Sequence, residues 1–476
     1  MSSPAPTGPA ALKVFRIPEL ARLICAVTRK HDNANLMQAC RKLFRSILPF
    51  VWEQVDGPNA LMSMIPGGVV YHESESGLSP YALPGSLELS RFNIYAPHVK
   101  RLILSHLYVN GYDEWERFHS YTRSVDLLPN LEAIYFPPHQ PGKYISNGDQ
   151  IETDAVNWAI AFLSTSLQTL SQTPPVAVGS TQAIPPLWLD FDSFHNLMSS
   201  VAKKCPNLRS LNILSAQIIL TKYNHWGLEP PFRVSFSYDS PETYSSFAQL
   251  GNLTCLVVSA VILCPEGLDA LSNFPMLESL RIVGSQHVYQ TYCNEIQLAT
   301  GAFPALKYLD LDQLTWGTIV NLFNEKPLIS GLQSLGITEP HPHFHDASPL
   351  DVFTNFSDIA PLLATHNSKI TRLFIDDIGD YRVSWRYAAE LTEDDFTPIQ
   401  SLSDATLYLK TAFILEEPRE ENAKIVARYL SILRPLAPVI CEYHRANIYL
   451  YNVDNEHANE ESRNMINAEL SRLRDI

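Results

Sequence analysis

FPMLESLRI (274–282) and FPALKYLDL (303–311) share one template, and CPNLRSLNI (205–213) is a third copy. It runs Phe or Cys, Pro, any residue, Leu, two variable residues, Leu, one variable residue and an aliphatic. The last two apolar places are two residues apart, the period that puts side chains on one face of a β-strand. Leu280 with Ile282, and Leu309 with Leu311, are therefore expected to face a core. Leu277 and Leu306 turn inward at the bend before each strand. The intervening positions, Arg281, Asp310 and Asp312, fall on the opposite face.

With the proline moved or replaced, the template returns in LLPNLEAIYF (127–136), QLGNLTCLVV (249–258) and ISGLQSLGI (329–337). HVKRLIL (98–104), KITRLFI (369–375) and LYLKTAFI (407–414) are weaker copies. Helical patterns lie between them: DAVNWAIAFL (154–163), PEGLDALSNF (265–274), WGTIVNLFN (316–324) and DVFTNFSDIAPLLATH (351–366). A strand followed by a helix, repeated, predicts a parallel sheet in which each unit covers its neighbour's apolar face. Leu253, Leu277, Leu306 and Leu332 are 24, 29 and 26 residues apart. The pattern is similar to leucine-rich repeats over 98–415, with inserts such as SQTPPVAVGSTQAIPP (171–186). That resemblance implies an irregular solenoid whose concave sheet binds a target, with Arg281, Asp310, Asp312, Arg372 and Asp376 lining it. Aligned strands would set Arg281, Asp310 and Gly336 in one column and Val283, Asp312 and Thr338 in the next.

The N-terminal stretch VFRIPELARLICAVTRKHDNANLMQACRKLFRSILPFVW (14–52) has a different period. Pro18 suits the first turn of a helix, and Leu20, Leu23, Ile24 and Val27 recur on one helical face. Asp32 or Asn33 is placed to cap a following helix. Leu36, Cys40, Leu43, Phe44, Ile47, Leu48 and Val51 continue the pattern, with Pro49 expected to kink or end a helix. So short and apolar a segment cannot bury itself alone, so it is expected to offer part of its apolar surface to a partner. Ile17-Pro18-Glu19-Leu20, Asn35-Leu36, Ala39-Cys40-Arg41 and Trp52 resemble the F-box. In this chain Glu19 follows Pro18 without a spacer, and Leu43 holds the aromatic slot. The resemblance implies docking onto the Skp-type adaptor of a cullin ligase through Ile17, Pro18, Leu20, Ile24, Leu36, Cys40, Phe44 and Trp52.

A formal charge of −15 and a pI near 5.4 argue against nucleic acid as a partner. Seven cysteines without tight spacing read as reduced thiols, with Cys205 and Cys255 as core residues. No run of about 18 apolar residues suggests a membrane span, and the start, MSSPAPTGPAALK, lacks a secretory pattern. The expected place is the cytosol or nucleus. His341, His343, His345 and Asp346 form the one cluster with zinc-type ligands, in a loop pattern that suits no tetrahedral site, so no metal is expected. Asp376-Asp377, Asp394-Asp395 and Glu416-Glu417 read as solvated faces. No phosphate loop, nucleophile elbow or Cys/His arrangement occurs, so neither catalysis nor a cofactor is expected.

The sequence thus predicts an α/β chain with an N-terminal three-helix F-box-like module followed by an irregular leucine-rich-repeat solenoid. The expected divisions are a disordered tip (1–11), the helical module (12–56), an irregular region of loops and short strands (57–97), the solenoid (98–415) and a C-terminal cap (416–476). In the cap, EENAKIVARYLSILRPLAPVI reads as a helix ended by Pro435 and Pro438, NIYLYNV as a strand and NEESRNMINAELSRLRDI as a final helix. The family resemblance, strongest to the large fungal F-box families, implies a substrate receptor of an SCF-type (Skp–cullin–F-box) ubiquitin ligase. The alternative is a non-degradative scaffold with a divergent F-box.

Overall fold

The computed structural model describes residues 13–70, 81–104, 109, 112–136, 148–172, 188–215, 217–220, 232–235, 244, 246–284, 298–338, 362–363, 366–367, 370–377, 406–411, 424, 439–441, 464–465, 467–469 and 471–472. The chain is an α/β structure with parallel strands in two compact units, Met1–Val176 with His195–Ser210, and Ala177–Phe194 with Leu211–Ile476.

The first unit begins with three helices, α1 (Pro18–Val27), α2 (Lys30–Gln38) and α3 (Arg41–Val51). Cys25, Met37, Leu43, Ile47, Leu48 and Val51 form their shared core. Ala21 and Cys25 are the buried residues of α1, and side chains this small let α1 lie close against α3. Asn33 does not cap a following helix; it is buried inside α2, which already starts at Lys30. Its amide donates to the Cys25 carbonyl at 2.9 Å, and its Oδ1 accepts the Thr28 hydroxyl at 2.6 Å. Asn33 therefore closes the C-terminal end of α1, where carbonyls lack partners. Extended backbone at Cys40 splits the apolar period of 36–51 into two helices. Pro49 neither ends nor interrupts α3, which runs on to Val51. A proline forfeits its own amide bond, while buried Ile47, Leu48 and Val51 hold the helix to its core.

Four parallel strands follow: β1 (Gln54–Asp56), β2 (Arg101–Ile103), β3 (Ala133–Tyr135) and β4 (Thr169–Ser171). Val55, Leu102, Ile134 and Leu170 stand in one register column and are all buried. β1 and β4 lie outside the sequence template, so parallel pairing begins at residue 54 rather than 98. In the stretch between β1 and β2, Val69–Val70 pairs with Tyr81–Ala82, the short strands expected there. Helices α4 (Tyr112–Thr122), α5 (Gly148–Phe162) and α6 (Phe191–Lys204, in this unit from His195) supply the aromatic core. Trp115 and Trp158 meet edge to face at 4.8 Å. Asp154, buried beside them, accepts Trp115 Nε1–H at 2.7 Å and Val109 N–H at 2.9 Å.

The second unit carries β5 (Cys255–Ser259), β6 (Ser279–Val283), β7 (Tyr308–Asp312), β8 (Ser334–Thr338), β9 (Arg372–Asp377), β10 (Thr406–Thr411) and β11 (Val439–Cys441), each parallel to the next. Leu256, Leu280, Leu309, Leu335 and Leu373 form one buried column, as the template requires. The bend leucines 253, 277, 306 and 332 are buried too. Helix α7 (Pro265–Ser272) follows β5, and α8 (Trp316–Phe323) follows β7. Cys264 caps α7, its Sγ accepting the Gly267 N–H at 3.3 Å. β11 lies where the sequence suggested the end of a helix; Pro435 and Pro438 precede a strand, and Val439 and Ile440 extend the ladder. NIYLYNV (447–453) and nearly all of 351–366 lie outside the described residues.

Candidate functional site

Two surfaces, one in each unit, bring sequence-singled residues together. On α1 the small residues Ala21 and Cys25 face inward, so the large apolar ones face solvent. Ile17 is 47% exposed, Leu20 38%, Leu23 63% and Val27 85%. Their spacing of three or four residues makes one helical stripe. Scattered exposed leucines need no account, whereas a contiguous apolar stripe is a mark of a contact surface. Completing the burial of each such side chain contributes up to about 1.5–3 kcal/mol.

The eight residues expected at an adaptor contact divide. Ile17, Pro18, Leu20 and Cys40 are exposed; Ile24, Leu36, Phe44 and Trp52 are half-buried. Phe44 meets Tyr95 edge-on at 6.3 Å, and Trp52 lies against the same ring at 4.7 Å. Leu36, Phe44 and Trp52 also pack on the three-helix core. These aromatic residues therefore tie the helices to the stretch before β2. Leu23 and Val27, the most exposed of the stripe, were not among the eight. The signal for them was their place three and seven residues after Leu20.

The second surface is the outward face of β6 to β9. The registers set Arg281, Asp310 and Gly336 side by side, and Val283, Asp312 and Thr338 in the next column. Arg281 Nε lies 3.3 Å from Asp310 Oδ2, and its Nη2 donates to Asp312 Oδ2 at 2.5 Å. Burial works against the Arg281 charge, but the carboxylates of Asp312 and Asp310 outweigh it and hold the guanidinium above its usual range. Asp312 does not line the open face: it is buried beneath Arg281. Val283 is buried as well; just beyond these strands the Gly284 N–H donates to the Asp312 carbonyl and the Gln313 N–H to the Thr338 carbonyl. Gly336 leaves the room Asp310 occupies, since a Cβ there would stand 2.7 Å from Asp310 Oδ1. Arg372 is exposed and reaches across Ser334, its guanidinium 5.9 Å from the centre of the Tyr308 ring. Tyr308 was not singled out, although its outward place in FPALKYLDL marks it. Asp376 pairs in register with Thr338; its side chain lies outside the described residues. The face thus presents the Arg281 guanidinium with the Asp310 carboxylate, held from below by buried Asp312, and beside them a cation over an aromatic ring.

Other candidates stay apart. The 341–346 histidine cluster and the pairs at 394–395 and 416–417 lie outside the described residues, as do the side chains of Asp376 and Asp377. Among the described residues no group of three or more His, Cys, Asp or Glu could hold a metal ion, and no helix is long and apolar enough to cross a membrane. Cys205 is buried in the core, its thiol pushed up to about 12 by burial. Cys255 differs from expectation: it is half-buried, on the outward row of β5. In comparisons with protein-family models and with curated proteins, no family model and no curated sequence matches the chain.

Proposed function

We propose that the chain is the substrate-recognition subunit of an SCF-type ubiquitin ligase. In this reading α1 to α3 are an F-box-like module that docks on a Skp-type adaptor and, through it, the cullin ligase. The parallel strands belong to an irregular leucine-rich-repeat solenoid whose outward β6–β9 face holds a target protein. The chain performs no bond chemistry and needs no cofactor; tethering target and ligase raises the effective concentration of one near the other. It acts in the cytosol or nucleus. The observation that carries the reading is the apolar stripe of α1, left open by a helix that packs through Ala21 and Cys25 instead. The paired charges of Arg281, Asp310 and Asp312 support a target carrying charge of its own.

Co-purification tests it. The wild-type chain is expected to retain the adaptor, and Pro18→Ala with Leu20→Ala to lose it while keeping its circular dichroism. Adaptor retained undiminished by the double variant would remove the F-box assignment. A chain that captures a target but never the adaptor would be the non-degradative scaffold.

A further inference from the structure

We infer that a cavity among α4, α5 and α6 in the first unit binds a small phosphorylated molecule. It is open to solvent on one side and has a volume of about 470 Å³, within the range of ordinary small-ligand sites. Helix α6 turns one polar stripe toward it: Asn196, Ser199, Ser200, Lys203 and Lys204, at i, i+3, i+4, i+7 and i+8. Opposite stand His119 and Arg123, at the end of α4 and just beyond it. Ile160 and Leu163, at the end of α5, give an apolar patch for a ligand's organic body. No carboxylate lines the cavity, in a chain whose formal charge is −15.

Basic residues at helix C-termini commonly answer the carbonyl ends of the helices. Lys204 does so: its Nζ donates to the carbonyls of Thr122 at 3.1 Å and Val125 at 3.2 Å, and lies 3.7 Å from Asp126. His119 is also engaged, its Nε2 donating to the Asn157 carbonyl at 3.1 Å. Arg123 and Lys203 are not. Among the described residues neither side chain has a hydrogen bond or ion pair, nor do those of Asn196, Ser199 and Ser200. Arg123, Asn196 and Lys203 are exposed and Ser199 and Ser200 half-buried, so two cations, two hydroxyls and a carboxamide border one cavity with no protein acceptor among the described residues. A phosphate monoester supplies about two negative charges and three acceptor oxygens, which matches that set.

The test is calorimetric titration of the full chain with inorganic pyrophosphate and with glucose 6-phosphate at constant ionic strength. Saturable binding of either at one site is expected. Arg123→Gln with Lys203→Gln should weaken it at least tenfold, whereas Lys326→Gln, an exposed cation of the second unit, should leave it unchanged. If the double variant fails to fold, Ser200→Glu, which sets a carboxylate in the cavity, should give the same loss. No saturable binding of either probe, or equal weakening by Lys326→Gln, would overturn the inference. Adaptor and target binding are read in separate assays, so either can fail without the other.

Discussion

Gly284→Ala is the most direct probe of how the second-unit strands turn. Gly284 follows β6 and donates its N–H to the Asp312 carbonyl at 2.7 Å. A methyl there would stand 2.1 Å from the Gln313 carbonyl oxygen and 2.8 Å from its carbon. Carbon–oxygen contacts are normally about 3.3 Å or more, so that carbonyl must retreat by roughly 1.2 Å. Gln313 already has φ 57°, a left-handed conformation costly for a residue with a Cβ. Its N–H donates to Thr338 at 2.6 Å, so the displacement loads the turn between β7 and β8 too. Overpacking costs about 1–3 kcal/mol, and one weakened backbone bond about 1 kcal/mol more. The expected loss is about 2–4 kcal/mol. With a urea slope of about 2 kcal/mol per molar, the midpoint falls by about 1–2 M, followed by circular dichroism. Gly317→Ala in α8 is the contrast, because its methyl would meet nothing within 4 Å. Helix propensity should make it about 0.5–1 kcal/mol more stable. A Gly284→Ala midpoint equal to wild type, with Gly317→Ala raised, would refute the close approach of the two turns.

Asp154→Ala strips an acceptor from two buried donors, Trp115 Nε1–H and Val109 N–H, and should cost about 2–5 kcal/mol in urea unfolding. Burial raises the Asp154 carboxyl from 3.8 to about 6, the two hydrogen bonds opposing that rise. Between those values the native state keeps a proton the unfolded chain has released, so stability should fall as pH climbs from about 4 to 6 and level above. An Asp154→Asn variant lacking that slope checks the assignment. Asn33→Ala removes the bonds to Cys25 and Thr28 and should cost about 1–2 kcal/mol, with faster amide exchange at the end of α1. Asp310→Asn weakens a half-exposed ion pair to Arg281, so stability should move by less than about 1 kcal/mol. Affinity for a cationic target should drop, and the drop should shrink as salt rises; unchanged affinity would place the target elsewhere.

Much of the second unit was legible because its template fixes both period and phase. Leu280, Leu309 and Leu335 align in sequence and pair in register for the same reason, their alternation with polar neighbours. β1 and β4 escaped because three-residue strands such as QVD and TLS carry too little alternation to read. In α1 the period revealed an apolar face but not what would cover it. A helix can pack through small residues, and Ala21 and Cys25 leave no mark on a hydrophobic pattern as strong as that of Leu20, Leu23 and Val27. Asn33 misled because an asparagine between helical stretches serves either end, and only α2 starting at Lys30 decides which. At the second surface the columns were readable, but the depth was not. Alternation puts Asp312 on the same face as Asp310, yet Asp312 is buried and accepts the Arg281 guanidinium. The cavity of the first unit drew on a polar stripe in FDSFHNLMSSVAKK that sequence reading passed over, since such a stripe reads as an ordinary solvated face.

The most direct test of the account is calorimetric titration of purified Skp-type adaptor into the full chain. Saturable one-to-one binding with a negative heat-capacity change, the mark of buried apolar surface, is predicted. Leu23→Asp with Val27→Asp should abolish it while leaving the urea midpoint where it was, because both side chains face solvent in the free chain. No heat from a folded wild-type chain, or the same affinity in the charged variant, would contradict the account.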